Sequence, residues 1–202
     1  MKRIIKIVFI ITLLSSMICM AEEYPPVPVG WYVEGNLGSS RLTNTNYVSG
    51  ANGSPSSSGV AWNVNGGYKF MPYFATEAGY TKYSGATSKA SGTTVAKNSS
   101  YSYDVAAKGM LLLGDSNADL FAKIGVARLN SNVTIRNQSF VTANGITVNN
   151  GKSRTTGYYF GLGIEYSFWS NFLVNTQWQR ARGNTHTGNM DLFSIGAGYI
   201  FG

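Results

Sequence analysis

The feature that most constrains this chain is a period-two alternation of apolar and polar residues, which recurs in eight segments. This period is typical of β-strands with one face in an apolar environment, because successive side chains of a strand point to opposite sides. In the first segment Trp31, Val33 and Leu37 share one face, and Glu34 and Asn36 share the other. We therefore predict eight strands, at about 31–42, 60–70, 74–83, 101–113, 120–130, 156–168, 172–182 and 192–201.

The connections between these segments alternate in length. Three are tight, at 71–73, 114–119 and 169–171. The other four are longer, and three of them are rich in Ser, Thr, Asn and Gly; they span about 43–59, 84–100, 131–155 and 183–190. Short turns at one end and long loops at the other are typical of a barrel in the outer membrane, with its loops outside and its turns in the periplasm.

A soluble β-sandwich or a lipocalin-like barrel is the alternative, since its strands would alternate as well. Its largest aromatic residues would be expected in the middle of the strands. Here many aromatics instead gather at the strand ends near the short turns, namely Trp31, Tyr68, Phe70, Phe74, Tyr166, Phe168, Trp169, Phe172, Tyr199 and Phe201. Such a girdle marks a membrane interface. We expect an all-β fold, an eight-stranded antiparallel up-and-down transmembrane β-barrel over residues 30–202.

The N-terminus has the three parts of a secretory signal. A positive start is followed by an apolar run and by small residues before a cleavage point after Ala21. The apolar run is too short for a membrane-spanning helix, which takes roughly 20 residues. We expect residues 1–21 to be a cleaved signal peptide and 22–29 to be a short periplasmic segment. Cleavage would remove Cys19, the only cysteine, and with it any disulfide or thiol chemistry.

Charge and composition exclude several function classes. After residue 21 the chain has thirteen basic and nine acidic residues, and the basic ones are dispersed, so we expect no nucleic-acid partner. The only histidine is His186, and no Cys or His cluster suggests a metal or a cofactor. A lipid A deacylase would need a Ser two residues after its loop-end His, and position 188 is Gly. We expect neither a cofactor nor an enzymatic activity.

Three stretches carry a resemblance to a known family: 30–38, 76–80 and 194–201. In these the chain resembles the small eight-stranded outer-membrane barrels, the OmpA/OmpX-like family of porin-like surface antigens of Gram-negative bacteria. The resemblance implies an outer-membrane location, passage past periplasmic chaperones, and a last strand that the barrel-assembly machinery recognises. The residues that match this assembly signal are Phe193, Ile195, Ala197, Tyr199 and Phe201. Gly202 departs from the pattern, because the family's chains end on the aromatic residue.

Strand parity, meaning which alternate residues of a strand share a face, predicts a polar lumen. The side chains expected to point inward include four acidic and three basic ones, namely Glu34, Lys69, Glu77, Asp104, Lys108, Lys123 and Glu165. Unpaired charges in a narrow lumen would be costly, so we expect them to pair. Eight-stranded barrels are filled by their own side chains, which favours a plugged lumen over a path for solutes or protons.

The same parity places cations on the outward face toward the long loops, and the membrane there carries lipopolysaccharide phosphates. These cations are Arg41, Lys82, Lys97, Arg128, Arg154 and Arg180. One Arg side chain can donate two parallel hydrogen bonds to two phosphate oxygens, and Lys acts as a point charge. We expect this rim to bind lipopolysaccharide, although cations also extend to polar interfaces without a specific ligand.

The long loops are the candidate contact surfaces for a host or envelope protein, above all 43–59 and 131–155. Asn144-Gly145 lies between two short β-forming stretches, which predicts a hairpin. The hairpin's edge could bind a partner by strand addition. We expect a structural or interaction protein, an envelope stabiliser or a surface antigen for adhesion. The alternative is a narrow, porin-like channel for small solutes or ions.

Overall fold

The computed structural model describes residues 28–43, 48–49, 58–85, 87–90, 93–114, 116–143, 147–148, 151–168, 171–184 and 187–201. The predicted signal peptide, residues 1–21, and residues 22–27 of the predicted periplasmic segment lie outside these residues. The elements are β1 Gly30–Thr43, β2 Val48–Ser49, β3 Ser58–Met71, β4 Phe74–Lys82, β5 Thr87–Ala90, β6 Thr93–Leu112, β7 Ala118–Ile135, α1 Gln138–Ala143, β8 Thr147–Val148, β9 Gly151–Phe168, β10 Phe172–Ala181 and β11 Asn189–Phe201. No helix among them is long and apolar enough to cross a membrane.

Eight antiparallel strands close into one barrel, in the order β1, β3, β4, β6, β7, β9, β10 and β11. The last strand pairs with the first, so that Phe201 lies opposite Trp31. Following directly paired residues once around the barrel leads from Trp31 back to Arg41, ten residues farther along β1. This stagger means that the strands are tilted, as barrel closure requires.

The predicted alternation is confirmed, and closure decides what each face touches. Along β1 the side chains alternate between exposed and buried, and β3, β6 and β10 show the same pattern. The buried face points into the barrel and is largely polar, whereas the exposed face carries large apolar residues such as Ile124 and Ile195. An apolar exterior with a polar interior is the arrangement of a membrane barrel.

Aromatic belts surround the barrel at two levels. The predicted belt near the short turns is present except for Trp169, which lies outside the described residues. Neighbouring rings in it lie 5.1 Å apart for Trp31 and Tyr68 and 5.0 Å apart for Tyr199 and Phe201. A second belt lies toward the long loops and was not predicted. It contains Trp62, Tyr80, Tyr101, Tyr103, Phe160, Trp178 and Phe193. Two girdles are expected where a barrel meets both membrane interfaces.

The long connections contain more structure than their composition indicated. β6, β7 and β9 extend beyond the predicted strands, and β5 pairs with β6 within 84–100. The hairpin prediction around Asn144-Gly145 is wrong in its first arm, because Phe140 and Val141 lie in the helix α1. Its second arm, β8, pairs instead with β2 of the 43–59 connection. Asn144 and Gly145 themselves lie outside the described residues.

Candidate functional site

The centre of the lumen is a buried ionic cluster. Lys108 and Lys123 lie directly opposite each other on β6 and β7, a like-charge pair that would be destabilising alone. Glu34 lies between them, with carboxylate oxygens 3.1 Å from Lys123 Nζ and 4.0 Å from Lys108 Nζ. Glu77 lies 2.7 Å from Lys123, and Glu165 lies 2.6 Å from Lys108. Three carboxylates and two ammonium groups from five strands therefore form one connected cluster.

Amide side chains extend this cluster. Asn65 and Asn175 donate hydrogen bonds to the two oxygens of Glu34, at 2.6 Å and 3.3 Å. Tyr32 donates to Glu77 at 3.0 Å. Toward the loops, the side-chain oxygen of Gln179 accepts hydrogen bonds from Asn63 and Tyr159, and its amide nitrogen donates one to Thr81. All three distances are 3.1 Å. Buried charges persist in proteins when such bonds satisfy their remaining acceptors, so these contacts hold the cluster in one arrangement.

Two of the seven predicted lumen charges stand apart from the cluster. Asp104 and Lys69 point inward and are 3 % and 2 % exposed. Within the described residues neither the Asp104 oxygens nor Lys69 Nζ has a hydrogen-bond partner. All seven predicted residues thus lie in the lumen, and ion pairs join five of them.

Apolar layers lie at both ends of the polar lumen. Toward the short turns the layer consists of Tyr32, Ala75, Met110, Phe121, Leu173 and Ile200. Toward the loops it consists of Leu42, Ala61, Tyr83, Ala106, Ala127, Leu129, Tyr159, Ala181, Met190 and Leu192. Lys69 lies directly opposite Ala75 and is itself buried, so the first of these layers also contains a charged side chain. The inward positions of Leu129 and Leu192 in their strands were the sequence signal for the layer toward the loops.

Inward-facing glycines make room for the larger lumen side chains. A Cβ on Gly163 would overlap the Phe121 ring, and a Cβ on Gly196 would overlap the Asn36 amide. A Cβ on Gly79 would meet the carboxylate of Asp104. The two Gly-x-Gly pairs, Gly161 with Gly163 in β9 and Gly196 with Gly198 in β11, therefore belong to the packing of the lumen.

The predicted rim cations all lie on the outward face of their strands. Arg41, Lys97, Arg128 and Arg154 are exposed, and Lys82 and Arg180 are partly exposed. They lie at different distances from the membrane centre along the strands, however. Arg154 lies opposite Asn130, two residues beyond Arg128 on β7, and Lys97 lies opposite Thr134, which is six residues beyond it.

One of these cations already has an anionic partner. Arg180 Nε and Nη2 donate to the two carboxylate oxygens of Asp191 at 2.6 Å and 2.8 Å. Asp191 in turn lies directly opposite both Arg180 and Arg41 in the sheet. Among the described residues, no carboxylate forms an ion pair with Lys82, Arg128 or Arg154.

The predicted assembly residues lie on one outward face of the closing strand. Phe193 and Ile195 of β11 are 64 % and 69 % exposed, Phe201 is 54 % exposed, and Tyr199 is partly covered. Their recognition by assembly machinery stays a prediction. Two other residues of the sequence analysis, His186 and Gly202, lie outside the described residues.

Comparisons with known proteins agree with this architecture. A family model described as "Outer membrane protein beta-barrel domain" matches residues 10–201. No curated protein matches the chain.

Several solved structures share the fold. The outer membrane protein OprG from Pseudomonas aeruginosa has a TM-score of 0.58 at 13% identity, over 89% of this chain and 99% of that one. Neisserial surface protein A has a TM-score of 0.58 at 14% identity, over 85% and 97%. Ail of Yersinia pestis, solved in complex with the heparin analogue sucrose octasulfate, has a TM-score of 0.51 at 13% identity, over 85% and 99%. Identities this low establish the fold alone.

Proposed function

Because this chain belongs to the outer membrane protein β-barrel domain family and is located in the outer membrane, we propose that it is a non-enzymatic anchoring and interaction protein of that membrane. Its cationic loop end binds phosphate groups of lipopolysaccharide and so holds the barrel in the outer leaflet. The long polar loops remain available to a host or envelope partner. The filled lumen disfavours the alternative of a narrow channel.

The observation that carries this proposal is the partition of charge. Of the thirteen basic residues after position 21, three lie in the lumen, and the other ten belong to the loop end of the barrel. The four long connections contain no Asp or Glu at all. Such one-sided charge attracts polyanions and raises their local concentration. A barrel of the same fold, Ail, has been solved with a sulfated polyanion bound, which supports this kind of ligand.

The test removes three rim cations and measures lipopolysaccharide binding. We expect the triple variant Arg128→Gln, Arg154→Gln, Arg180→Gln to co-purify with less lipopolysaccharide and to lose the rise in thermal stability that the lipid confers, since ligand binding to the folded state stabilises it. The difference should shrink at high salt, which screens exposed charges.

The matched control replaces three exposed, uncharged residues of the same end, Asn132, Thr134 and Gln138, by Ala. This variant should bind lipopolysaccharide as the unaltered protein does. If the cation variant also keeps full co-purification and full stabilisation, the proposed lipopolysaccharide contact is wrong.

A further inference from the structure

The outward rim has two chemically different sides. On the side formed by β10, β11 and β1, Asp191 lies between Arg180 and Arg41 and binds Arg180 through both oxygens. This carboxylate occupies two donors of Arg180 and would repel an approaching phosphate. On the side formed by β4, β6, β7 and β9, the outward described residues of the rim include no acidic side chain.

Directly paired residues on this second side bring cations and tyrosines together. One row runs from Lys82 through Tyr101 and Asn130 to Arg154. The next row toward the membrane centre contains Tyr80, Tyr103 and Arg128. The tyrosines contact one another, with ring centres 5.2 Å apart for Tyr80 and Tyr103 and 5.8 Å apart for Tyr101 and Tyr103.

The side chains are placed to present charge next to an aromatic surface. Lys82 Nζ donates to Ser99 Oγ at 2.7 Å and lies 5.5 Å from the centre of the Tyr101 ring. Tyr103 is 55 % exposed although it lies directly opposite Arg128. A ring face offers an apolar platform for the C–H face of a sugar, and Lys and Arg bind phosphate oxygens.

We propose that this side of the rim, defined by Lys82, Tyr101, Tyr103, Arg128 and Arg154, is a site for the phosphorylated sugar headgroup of lipid A. The sugar ring lies on the tyrosines, and the phosphates bind the three cations. The opposite side, with Asp191 at its centre, does not bind this headgroup. The inference rests on the proposed function, because it assigns lipopolysaccharide binding to one side of the same rim.

The experiment compares two double variants that remove the same charge from the two sides of the full-length barrel. Lys82→Gln with Arg128→Gln alters the proposed site. Arg41→Gln with Arg182→Gln, an exposed arginine that directly follows β10, alters the other side and leaves the Arg180–Asp191 pair intact. Each refolded variant is first checked for the heat-dependent gel mobility of a folded barrel and is then titrated with purified lipid A and with dephosphorylated lipid A.

We expect the first variant to bind lipid A at least tenfold more weakly and the second to change its Kd less than twofold. With dephosphorylated lipid A the two variants should bind alike. Equal weakening by both variants would overturn the one-sided site and leave the proposed function standing. If neither variant weakens binding, both proposals are wrong.

The tyrosine platform has its own readout. Tyr103→Leu keeps an apolar side chain and every charge but removes the ring, so it should weaken lipid A binding severalfold. An unchanged Kd would remove the tyrosines from the site and overturn the proposal as stated.

Discussion

The lysines of the lumen differ in their surroundings even though all three are buried. Lys123 has two carboxylates within 3.1 Å, and Lys108 has one at 2.6 Å and another at 4.0 Å, whereas Lys69 has no hydrogen-bond partner among the described residues. Breaking a buried ion pair from one side leaves an uncompensated charge, so the cost of losing a lysine should follow its contacts.

Replacing Lys123 by Met should therefore destabilise the barrel by about 3–5 kcal/mol, because the facing carboxylates lose their cation. Lys69→Met is the matched control, a substitution of the same chemistry at another inward position, and it should cost clearly less. Urea unfolding of the refolded variants, followed by the gel mobility of folded and unfolded barrel, measures both. Equal losses would contradict the role assigned to the ion pairs.

At the scale of elements, the long connections are organised by pairing outside the barrel wall. β2 and β8 belong to different connections and form a two-stranded sheet, with Val48 opposite Val148. This pairing joins 43–59 to 131–155, the two loops that the sequence analysis chose as contact surfaces. A partner that bound at β2 would therefore also lie next to β8.

A disulfide test checks this pairing. Opposite residues of antiparallel strands have Cα atoms about 4.5–5.5 Å apart, a separation that a disulfide can span. The variant Val48→Cys with Val148→Cys should oxidise to an intramolecular disulfide, visible as a gel shift that a reductant reverses. Each single-cysteine variant serves as the control and should show no such shift. Failure to cross-link under oxidant would mean that the two loops do not pair.

At the scale of the whole molecule, the barrel is a closed wall whose inward side chains are largely buried. Ion pairs and amides occupy the middle of the lumen, and apolar layers lie at both ends. Eight strands leave room for little more than side chains. The exterior, by contrast, has two aromatic belts and a cationic loop end.

This arrangement predicts that the refolded protein inserts into planar bilayers without steady conductance. Glu34→Gln, Glu77→Gln and Glu165→Gln combined with Lys108→Met and Lys123→Met neutralise all five members of the central cluster, but the apolar side chains at both ends remain, so this variant should stay closed as well. Steady, ion-selective current from the unaltered protein would contradict the filled lumen and would favour the channel alternative.

Much of the architecture could be predicted from the sequence, because period two is a local property of a strand. Parity alone placed Glu34, Lys108 and Lys123 inside and Arg41 and Arg128 outside, and the structure agrees. The lengths of the connections and the aromatic residues near the short turns indicated the ends of the barrel. The family was indicated by the resemblance of three stretches, 30–38, 76–80 and 194–201, and the family model over residues 10–201 confirms it.

Other features depended on contacts between residues far apart in the chain. Glu34 and Lys123 are separated by 89 positions, and only the closure of β11 onto β1 with its stagger brings their strands to one level. The same register puts Asp191 beside Arg180 and Arg41, so the two sides of the rim differ in charge. It also places Lys97 farther toward the loops than Arg128 and Arg154. Phe140 and Val141 form a helical turn instead of a strand, contrary to the local pattern. The sequence determines which face a side chain takes, since that depends on its own strand; tertiary structure decides which partner it meets, since that depends on the register between strands.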